Sequence, residues 1–219
     1  YKKLISTEYP LFCGPSSVTL QLQHLLPDNQ QNVLQNYTIT DKADGLRKLL
    51  YISSGGKLYY ISTNMQLQYC GVTVSDNSLF GTLIDGEHIL YDKYNNFLNL
   101  FAVFDCYYLN YKSSKDLPLY TLKDGKPGGR LSLLLHITQK IKNSISNDKI
   151  FSILCKTFRI IDESTTLFDE CKIMFEAMKD SDKFNYNIDG LILTPANLAV
   201  GANSVGQSAK HSSKFTWNR

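Results

Sequence analysis

The chain has 219 residues, of which 43% are hydrophobic and 20% are charged, as in a globular protein that buries a sizeable core. A net charge of +3 is too small to indicate nucleic-acid binding by itself, and no apolar run is long enough to span a membrane. The five cysteines form no C-x-x-C pair, which argues against a disulfide framework or a zinc site and predicts a soluble domain with free thiols in a reducing compartment.

In the first half of the chain, alternating apolar and polar residues predict strands that pair in two hairpins. Gly55-Gly56 and Asn95-Asn96 are typical of the turns that join such strands. The second hairpin would place Glu87 and Asp105 on neighbouring strands, and an earlier strand leads into a turn at Lys42. The predicted strands cover residues 35–40, 47–52, 57–62, 81–91 and 97–109.

The second half of the chain predicts two helices, one strand and two loops. A loop rich in Gly and Lys over 124–130 precedes the first helix, and the second helix begins after a cap at Ser164 or Thr165. A buried strand follows at 186–194, and a mobile loop follows at 196–213. The apolar faces that we expect in the core are Leu131, Leu134, Leu135, Ile141 and Ile145 on the first helix and Leu167, Cys171, Met174, Phe175 and Met178 on the second.

The hexapeptide Lys42-Ala43-Asp44-Gly45-Leu46-Arg47 carries the most chemical information in the chain. A lysine amine can attack a phosphate and hold a nucleotide as a phosphoramidate, but an unperturbed lysine is almost fully protonated at pH 7. Arg47 and a bound metal ion would favour the neutral amine, whereas Asp41 and Asp44 would favour the charged one. Gly45 allows a sharp turn and a close approach of phosphate. Alone, the hexapeptide is equally compatible with a surface turn.

Together with three later segments, this hexapeptide resembles the motifs of covalent nucleotidyl transferases, the superfamily of ATP-dependent DNA and RNA ligases and GTP-dependent mRNA capping enzymes. Asp85-Gly86-Glu87 resembles the second acidic motif, and Phe104-Asp105 resembles the motif that follows it. Residues 188–195 resemble the fourth motif, in which Asp-Gly opens a buried strand. The order and spacing of the segments also follow the superfamily, and the resemblance covers essentially the whole chain.

Two details resemble capping enzymes more than ligases. Asp189-Gly190 is followed by Leu-Ile and then by Thr-Pro, whereas ligases usually carry Glu-Gly at this position. Residues 12–20 resemble the F-P-G-x-[QN]-P-V-S-L segment that precedes the lysine in capping enzymes, although Cys13, Ser16 and Ser17 depart from it. The sequence around the lysine is similar to the form found in capping enzymes of large cytoplasmic DNA viruses.

The resemblance implies an α+β fold, namely a nucleotidyltransferase (ATP-grasp-like ligase and capping) domain of antiparallel sheets flanked by helices. We expect residues 1–219 to form this domain as a fragment of a longer multidomain capping protein. A C-terminal OB-fold and a final K-x-K motif would then lie beyond Arg219, because Lys214-Phe215-Thr216 matches that motif only loosely.

The resemblance also implies roles for individual residues. Lys42 would be the catalytic nucleophile that becomes lysyl-GMP, and Arg47 would hydrogen-bond the ribose or the phosphates. Glu87 would bind the ribose or help to place a metal ion, and Asp189 would hold Mg²⁺ or Mn²⁺ near the α-phosphate. Phe104 would stack on the purine.

Further residues have two interpretations each. Asp44 and Gly45 belong to the implied nucleotide-binding turn, although Asp44, like Asp105, could have a structural role instead. Arg130 follows two glycines at the predicted start of a helix, where it would either bind an anion or lie solvated in the loop.

The implied function is that of an mRNA guanylyltransferase with GTP as substrate, Mg²⁺ or Mn²⁺ as cofactor and the 5′-diphosphate end of RNA as acceptor. The expected partners are triphosphatase and methyltransferase domains of the same polypeptide, with no membrane. A viral protein would be found in the host cytoplasm or the virion, and any other would be intracellular. Two alternatives stay open: an ATP-dependent RNA or DNA ligase, which has the same nucleophile and fold, and a catalytically inactive scaffold domain.

Overall fold

Two β-sheets of five and seven strands make up most of the fold, and a two-stranded sheet accompanies them. The computed structural model describes residues 1–9, 11–123 and 125–200, and the backbone alone of residues 214–218. Strands β1 to β14 are, in chain order, Ser17–Thr19, Tyr37–Ala43, Leu46–Ile52, Lys57–Ser62, Leu67–Thr73, Thr82–Tyr91, Phe97–Leu109, Lys112–Ser113, Thr121–Lys123, Lys126–Gly128, Ser152–Cys155, Arg159–Ile161, Ile188–Pro195 and Lys214–Asn218. Helices α1 to α3 are Lys2–Ile5, Arg130–Ser144 and Leu167–Ala177.

The five-stranded sheet has the order β1-β14-β13-β2-β12. Its central strands β2 and β13 run antiparallel, as do β13 with β14 and β2 with β12, whereas β1 is parallel to β14. Ile39, Leu191 and Leu193 are fully buried in one hydrophobic cluster with Leu167 and Met174 of α3. Helix α3 therefore covers one face of this sheet.

The seven-stranded sheet has the order β11-β7-β6-β3-β4-β5, and the short strand β8 pairs with β7. These pairs are antiparallel except for β11, which runs parallel to β7. Leu50, Ile84 and Val103 of the sheet are buried in one cluster with Leu134 and Ile137 of α2. Helix α2 thus covers one face of this sheet, whereas Ile89, Leu100 and Ala102 of β6 and β7 are buried in the cluster that contains α3, so both large sheets contribute to that cluster.

The structure confirms the predicted mixed fold of antiparallel sheets and its two main hairpins. Strands β3 and β4 pair across Gly55-Gly56, and β6 and β7 pair across Asn95-Asn96. The two longer helices and the buried strand β13 also lie where the pattern predicts them. Among the described residues, no helix is both long and apolar enough to cross a membrane.

Several local predictions need correction. Strand β2 continues to Ala43, so Lys42 lies within a strand and not in a turn. Helix α3 is capped by the hydroxyl of Thr166, which accepts a hydrogen bond from the backbone of Asp169. Leu135 is 60% exposed and leaves the predicted core face of α2. Residues 126–128 form a strand within the predicted loop, while Asp124 and residues 201–213 lie outside the described residues.

Candidate active site

A cavity of about 210 Å³ lies between the two large sheets and is lined by all seven residues to which the sequence assigns a site role. The five-stranded sheet contributes residues of β1, β2 and β13, and the seven-stranded sheet contributes residues of β3, β6 and β7. The lining residues are Ser17, Thr40, Lys42, Ala43, Asp44, Gly45, Arg47, Glu87, Phe104, Phe158, Asp189, Ile192 and Thr194. Motifs that are far apart in the sequence therefore meet in one place.

Lys42 and Asp189 form an ion pair at the rim of the cavity, with 2.6 Å between Nζ and Oδ2. The register between β2 and β13 shifts from Ile188 to Gly190, so Asp189 occupies a β-bulge opposite the lysine strand. Such a bulge turns a side chain out of the regular alternation of the strand. The two side chains are 30% and 51% exposed, so the amine and the carboxylate are both accessible to a ligand.

Arg47 is clamped by three acceptors and two aromatic rings. Its Nε and Nη2 atoms donate to the two carboxylate oxygens of Asp85 at 3.1 and 2.6 Å, and Nη1 donates to the carbonyl of Pro15 at 2.7 Å. The rings of Phe12 and Phe104 lie 5.1 and 5.8 Å from the guanidinium carbon. Burial alone would lower the pKa of Arg47, but the Asp85 carboxylate raises it, so the guanidinium remains charged.

Asp85 is fully buried and also accepts a hydrogen bond from the hydroxyl of Tyr107 at 2.5 Å. Gly14 permits this arrangement, because a Cβ atom there would lie 2.3 Å from Arg47 Nη2 and 2.8 Å from Asp85 Oδ2. Residues 12–20, which resemble the segment before the lysine in capping enzymes, thus pack directly on Arg47.

Glu87 projects into the cavity from β6, and its carboxylate makes no hydrogen bond among the described residues. Burial raises the pKa of Glu87 to about 7; Lys156, Arg47 and Lys42 oppose this shift, and Asp85 adds to it. A carboxylate in this state is suited to bind a hydroxyl or a cation that enters the cavity.

Phe104 is 8% exposed and has two cations near its ring, since the ammonium of Lys156 is 5.9 Å and the guanidinium carbon of Arg47 is 5.8 Å from the ring centre. Lys156 is itself buried and donates to the carboxylate of Asp41 at 3.0 Å and to its carbonyl at 2.7 Å. The residue before Lys42 is therefore neutralised by an ion pair, which removes the electrostatic objection that Asp41 posed in the sequence.

Gly45 brings the turn after β2 close to β6, because a Cβ atom there would lie 2.8 Å from Glu87 Cγ. The neighbouring Asp44 is exposed at the edge of the cavity, and its backbone N–H donates to Asn187. This turn links the two large sheets, since β2 belongs to one and β3 to the other.

Asp105 and Arg130 do not belong to the cavity lining. They form a buried ion pair, with 2.7 Å between Arg130 Nε and Asp105 Oδ1 and side chains 2% and 1% exposed. Arg130 also donates to the carbonyls of Leu117 and Leu198. Both interpretations of Arg130, as an anion-binding residue and as a solvated arginine, are therefore wrong, and the structural alternative for Asp105 holds.

Sequence reasoning assigned no role to four residues that contact or line the site, namely Lys156, Asp85, Pro15 and Phe158. Asp85 lies within the quoted Asp-Gly-Glu segment, and the spacing of two residues places it and Glu87 on the same face of β6. That alternation was the available signal for Asp85. Lys156 has no comparable local signal.

The oxygen ligands of the cavity fit a small hard cation. Asp189 and Glu87 are two carboxylates on one cavity, and Mg²⁺ is usually held by one or two carboxylates together with waters and substrate phosphates. Among the described residues, no group of three or more His, Cys, Asp or Glu is placed to hold a metal ion. Any cation here would thus need ligands other than these two carboxylates to complete its coordination.

Comparison with known proteins agrees with the assembled motifs. The family model of the mRNA capping enzyme catalytic domain matches residues 1–205. A comparison with curated protein sequences found no match.

Solved structures of DNA ligases share the fold. The ligase domain of LigD from M. tuberculosis superposes with a TM-score of 0.53 at 12% identity, over 94% of this chain and 59% of that one. Mycobacterial DNA ligase D complexed with ATP and MES gives 0.52 at 14% identity, over 94% and 61%. The ATP-dependent DNA ligase from bacteriophage T7, in complex with ATP, gives 0.53 at 12% identity, over 95% and 69%. The chain thus spans about three fifths of the two ligase D chains.

Proposed function

The chain belongs to the family of mRNA capping enzyme catalytic domains, and from this premise we propose that it is an mRNA guanylyltransferase. The observation that carries the proposal is the convergence of Lys42, Arg47, Glu87, Phe104 and Asp189 on one cavity. An accessible amine, a fixed cation, two carboxylates and an aromatic ring are the groups that covalent transfer of a nucleotide requires.

In the first step, Lys42 Nζ attacks the α-phosphorus of GTP. The new P–N bond forms as the bond between the α-phosphorus and the bridging oxygen breaks, and pyrophosphate leaves with the electron pair. The amine must lose its proton, and Asp189 Oδ2, 2.6 Å away, is placed to take it or to pass it to water. Mg²⁺ or Mn²⁺ would be held by Asp189 and Glu87 and would offset the negative charge of the phosphates when bound.

The remaining groups bind and orient the nucleotide. Phe104 offers a ring for stacking on guanine, and Glu87 offers a carboxylate for the ribose hydroxyls. Arg47 has five N–H groups, of which three are used by Asp85 and Pro15, so two N–H groups remain for ribose or phosphate. Because its position is fixed before the ligand arrives, Arg47 loses little freedom on binding.

In the second step, an oxygen of the 5′-diphosphate end of RNA attacks the same phosphorus. The P–N bond breaks, the lysine amine leaves and regains a proton, and a 5′–5′ GpppN cap results. The covalent intermediate divides a reaction of three components into two oriented transfers. Triphosphatase and methyltransferase activities, in the same polypeptide, would supply the diphosphate end and modify the cap; such a protein would work in the host cytoplasm or the virion if it is viral.

Label transfer tests the proposal. The protein is incubated with α-labelled GTP or ATP and Mg²⁺ or Mn²⁺, denatured, and examined for label on the chain. We expect label from GTP in the unaltered protein and none in Lys42→Ala, which lacks the amine. Lys179→Ala is the matched control, since this lysine is 71% exposed and pairs with Glu176 on α3.

The outcomes separate the candidates. Label from ATP and not from GTP would identify ligase-type chemistry and overturn the guanylyltransferase. A labelled Lys42→Ala protein would overturn the nucleophile. No label from either nucleotide would favour an inactive scaffold domain.

A further inference from the structure

A second groove, of about 430 Å³, adjoins the catalytic cavity along the turn between β2 and β3. Asp44 and Gly45 line both spaces. The rest of the groove is formed by the end of β6, the tip of the β6–β7 hairpin and Asn187, which precedes β13. The groove therefore begins at the edge of the cavity that contains Lys42 and leads away from it.

The Asp44–Gly45 turn lies between the two spaces. Gly45 carries no side chain, and its backbone lies against β6 so closely that a Cβ atom would be 2.9 Å from the carbonyl oxygen of His88. An elongated ligand can thus pass over this turn, with one end in the cavity and the remainder in the groove.

Two exposed aromatic rings stand at the groove. Tyr91 lines it and is 52% exposed, and its ring meets that of Phe97 edge to face at 6.1 Å. Phe97 is 69% exposed. Exposed aromatic rings beside a groove are the usual platform on which single-stranded nucleic acids stack their bases.

The groove is polar at the hairpin end. Lys93 supplies a cation, and Asn95 and Asn187 supply amides for hydrogen bonds to sugars and base edges. The carboxylate of Asp92 is already engaged by the backbone N–H groups of Tyr94 and Asn96, at 2.8 Å each. The carboxylate of Asp44 also lines the groove, so the lining offers a nucleotide chain base stacking and amide hydrogen bonds, with Lys93 as its one cation among the described lining residues.

We propose that this groove binds the 5′-terminal nucleotides of the single-stranded RNA that accepts GMP, with the first bases stacked at Tyr91 and Phe97. The inference rests on the proposed function, because it names the site of the second substrate of that reaction. The diphosphate end would reach over Gly45 to the lysyl-GMP, while the following nucleotides occupy the groove.

The test compares two chases of the same intermediate. Protein that carries labelled lysyl-GMP is mixed either with pyrophosphate or with 5′-diphosphate RNA, and the two rates of label loss are measured. For Tyr91→Ala and Phe97→Ala we expect the ratio of the RNA rate to the pyrophosphate rate to fall by about tenfold or more at subsaturating RNA, the size of one lost base stack. Tyr69→Ala is the matched control, since Tyr69 is 45% exposed and pairs with the ring of Tyr59 on β4.

Two results would overturn the inference. One is an unchanged ratio in Tyr91→Ala and Phe97→Ala, and the other is an equal fall in Tyr69→Ala. A separate binding measurement with fluorescently labelled 5′-diphosphate RNA needs no chemistry. Weaker binding by Tyr91→Ala than by Tyr69→Ala would support the groove even if GTP gave no lysyl-GMP, in which case only the proposed function fails; equal binding would overturn the groove.

Discussion

Lys156 carries a buried charge that links β2, the strand of Lys42, to the seven-stranded sheet. Its ammonium binds both the carboxylate and the carbonyl of Asp41, and its backbone N–H donates to Val103 of β7 at 2.9 Å. Tyr186 adds a hydrogen bond from its hydroxyl to Asp41 at 3.2 Å. Because the side chains of Lys156 and Asp41 are 1% and 0% exposed, neither charge has water as an alternative partner.

We therefore predict that Lys156→Met lowers the free energy of unfolding by about 3–5 kcal/mol, since it leaves the Asp41 carboxylate buried without its counter-ion. The double variant Lys156→Met/Asp41→Asn should recover most of this loss because it removes both charges. Urea denaturation of the unaltered protein, Lys156→Met and the double variant measures the effect. A double variant as unstable as Lys156→Met would show that the ion pair is not the cause, and Lys179→Met should change little.

Gly14 is a second position where one atom decides the geometry of the site. Gly14→Ala should separate Arg47 from Asp85, lower the free energy of unfolding by about 1–3 kcal/mol and slow nucleotide attachment to Lys42. Gly55→Ala is the matched control, because a Cβ atom at Gly55 meets nothing within 4 Å. Equal effects of the two substitutions in denaturation and label transfer would contradict the steric argument.

At the scale of elements, a buried polar contact joins β3 to β6. The Lys48 ammonium lies 2.9 Å from His88 Nδ1, and His88 Nε2 lies 2.7 Å from Asn99 Oδ1. Asn99 Nδ2 donates to the carbonyl of Ile150, which orients the Asn99 oxygen towards His88. His88 is therefore neutral with its proton on Nε2, and Lys48 donates to Nδ1.

This arrangement predicts acid destabilisation. Burial lowers the pKa of His88, with Asn99 opposing and Lys48 adding to the shift. The stability that the neutral ring contributes is therefore complete above the unfolded pKa of about 6.5 and is lost as the pH falls below it, by at most about 1.4 kcal/mol per pH unit. Glu87, whose pKa is raised, makes the free energy of unfolding fall with rising pH between about 4.5 and 7. The effect of His88 must therefore be measured as a difference between proteins that all retain Glu87.

The test measures the free energy of unfolding of His88→Gln, His136→Gln and the unaltered protein between pH 5 and pH 8. This range extends roughly 1.5 pH units on either side of the ordinary histidine pKa. The free energy of unfolding should depend on pH in His136→Gln as it does in the unaltered protein, because His136 is exposed on α2. In His88→Gln its increase with pH on the acid side should be less positive, because the contribution of His88 is gone. Identical slopes in all three proteins would contradict the role of His88.

Which elements could be predicted depended on whether their pairing is local. The hairpins β3–β4 and β6–β7 are marked by Gly-Gly and Asn-Asn between alternating strands, and α2 and α3 are marked by apolar residues at helical spacing. By contrast, β12 has three residues and pairs with β2, far away in the sequence. Nothing within so short a segment indicates its partner.

The same distinction separates the site residues. Lys42, Glu87 and Asp189 stand in short patterns with an adjacent glycine or apolar strand, and the structure places each of them on the cavity. The partners Asp41 and Lys156 are 115 positions apart, and only the folded sheets bring them together. The sequence could therefore indicate the groups that would meet a nucleotide, but not the groups that hold them.

For the whole molecule, the cavity lies where the two large sheets meet. Lys42 and Asp189 belong to the sheet packed on α3, whereas Arg47, Glu87 and Phe104 belong to the sheet packed on α2. The covalent connection nearest to the cavity is the Asp44–Gly45 turn, and Lys156 adds the buried ion pair between the sheets. A nucleotide in this cavity would contact both sheets at once.

We therefore predict that GTP stabilises the two sheets together. At a GTP concentration about 100 times its Kd, the free energy of unfolding should rise by about 2.7 kcal/mol, and amide hydrogen exchange should slow in β2 and β13 as well as in β6 and β7. Lys42→Ala, which cannot form the adduct, should show the same protection, because the effect arises from binding and not from the P–N bond. Protection confined to β2 and β13 would mean that GTP does not reach Glu87 and Phe104, and that the cavity between the sheets is not its binding site.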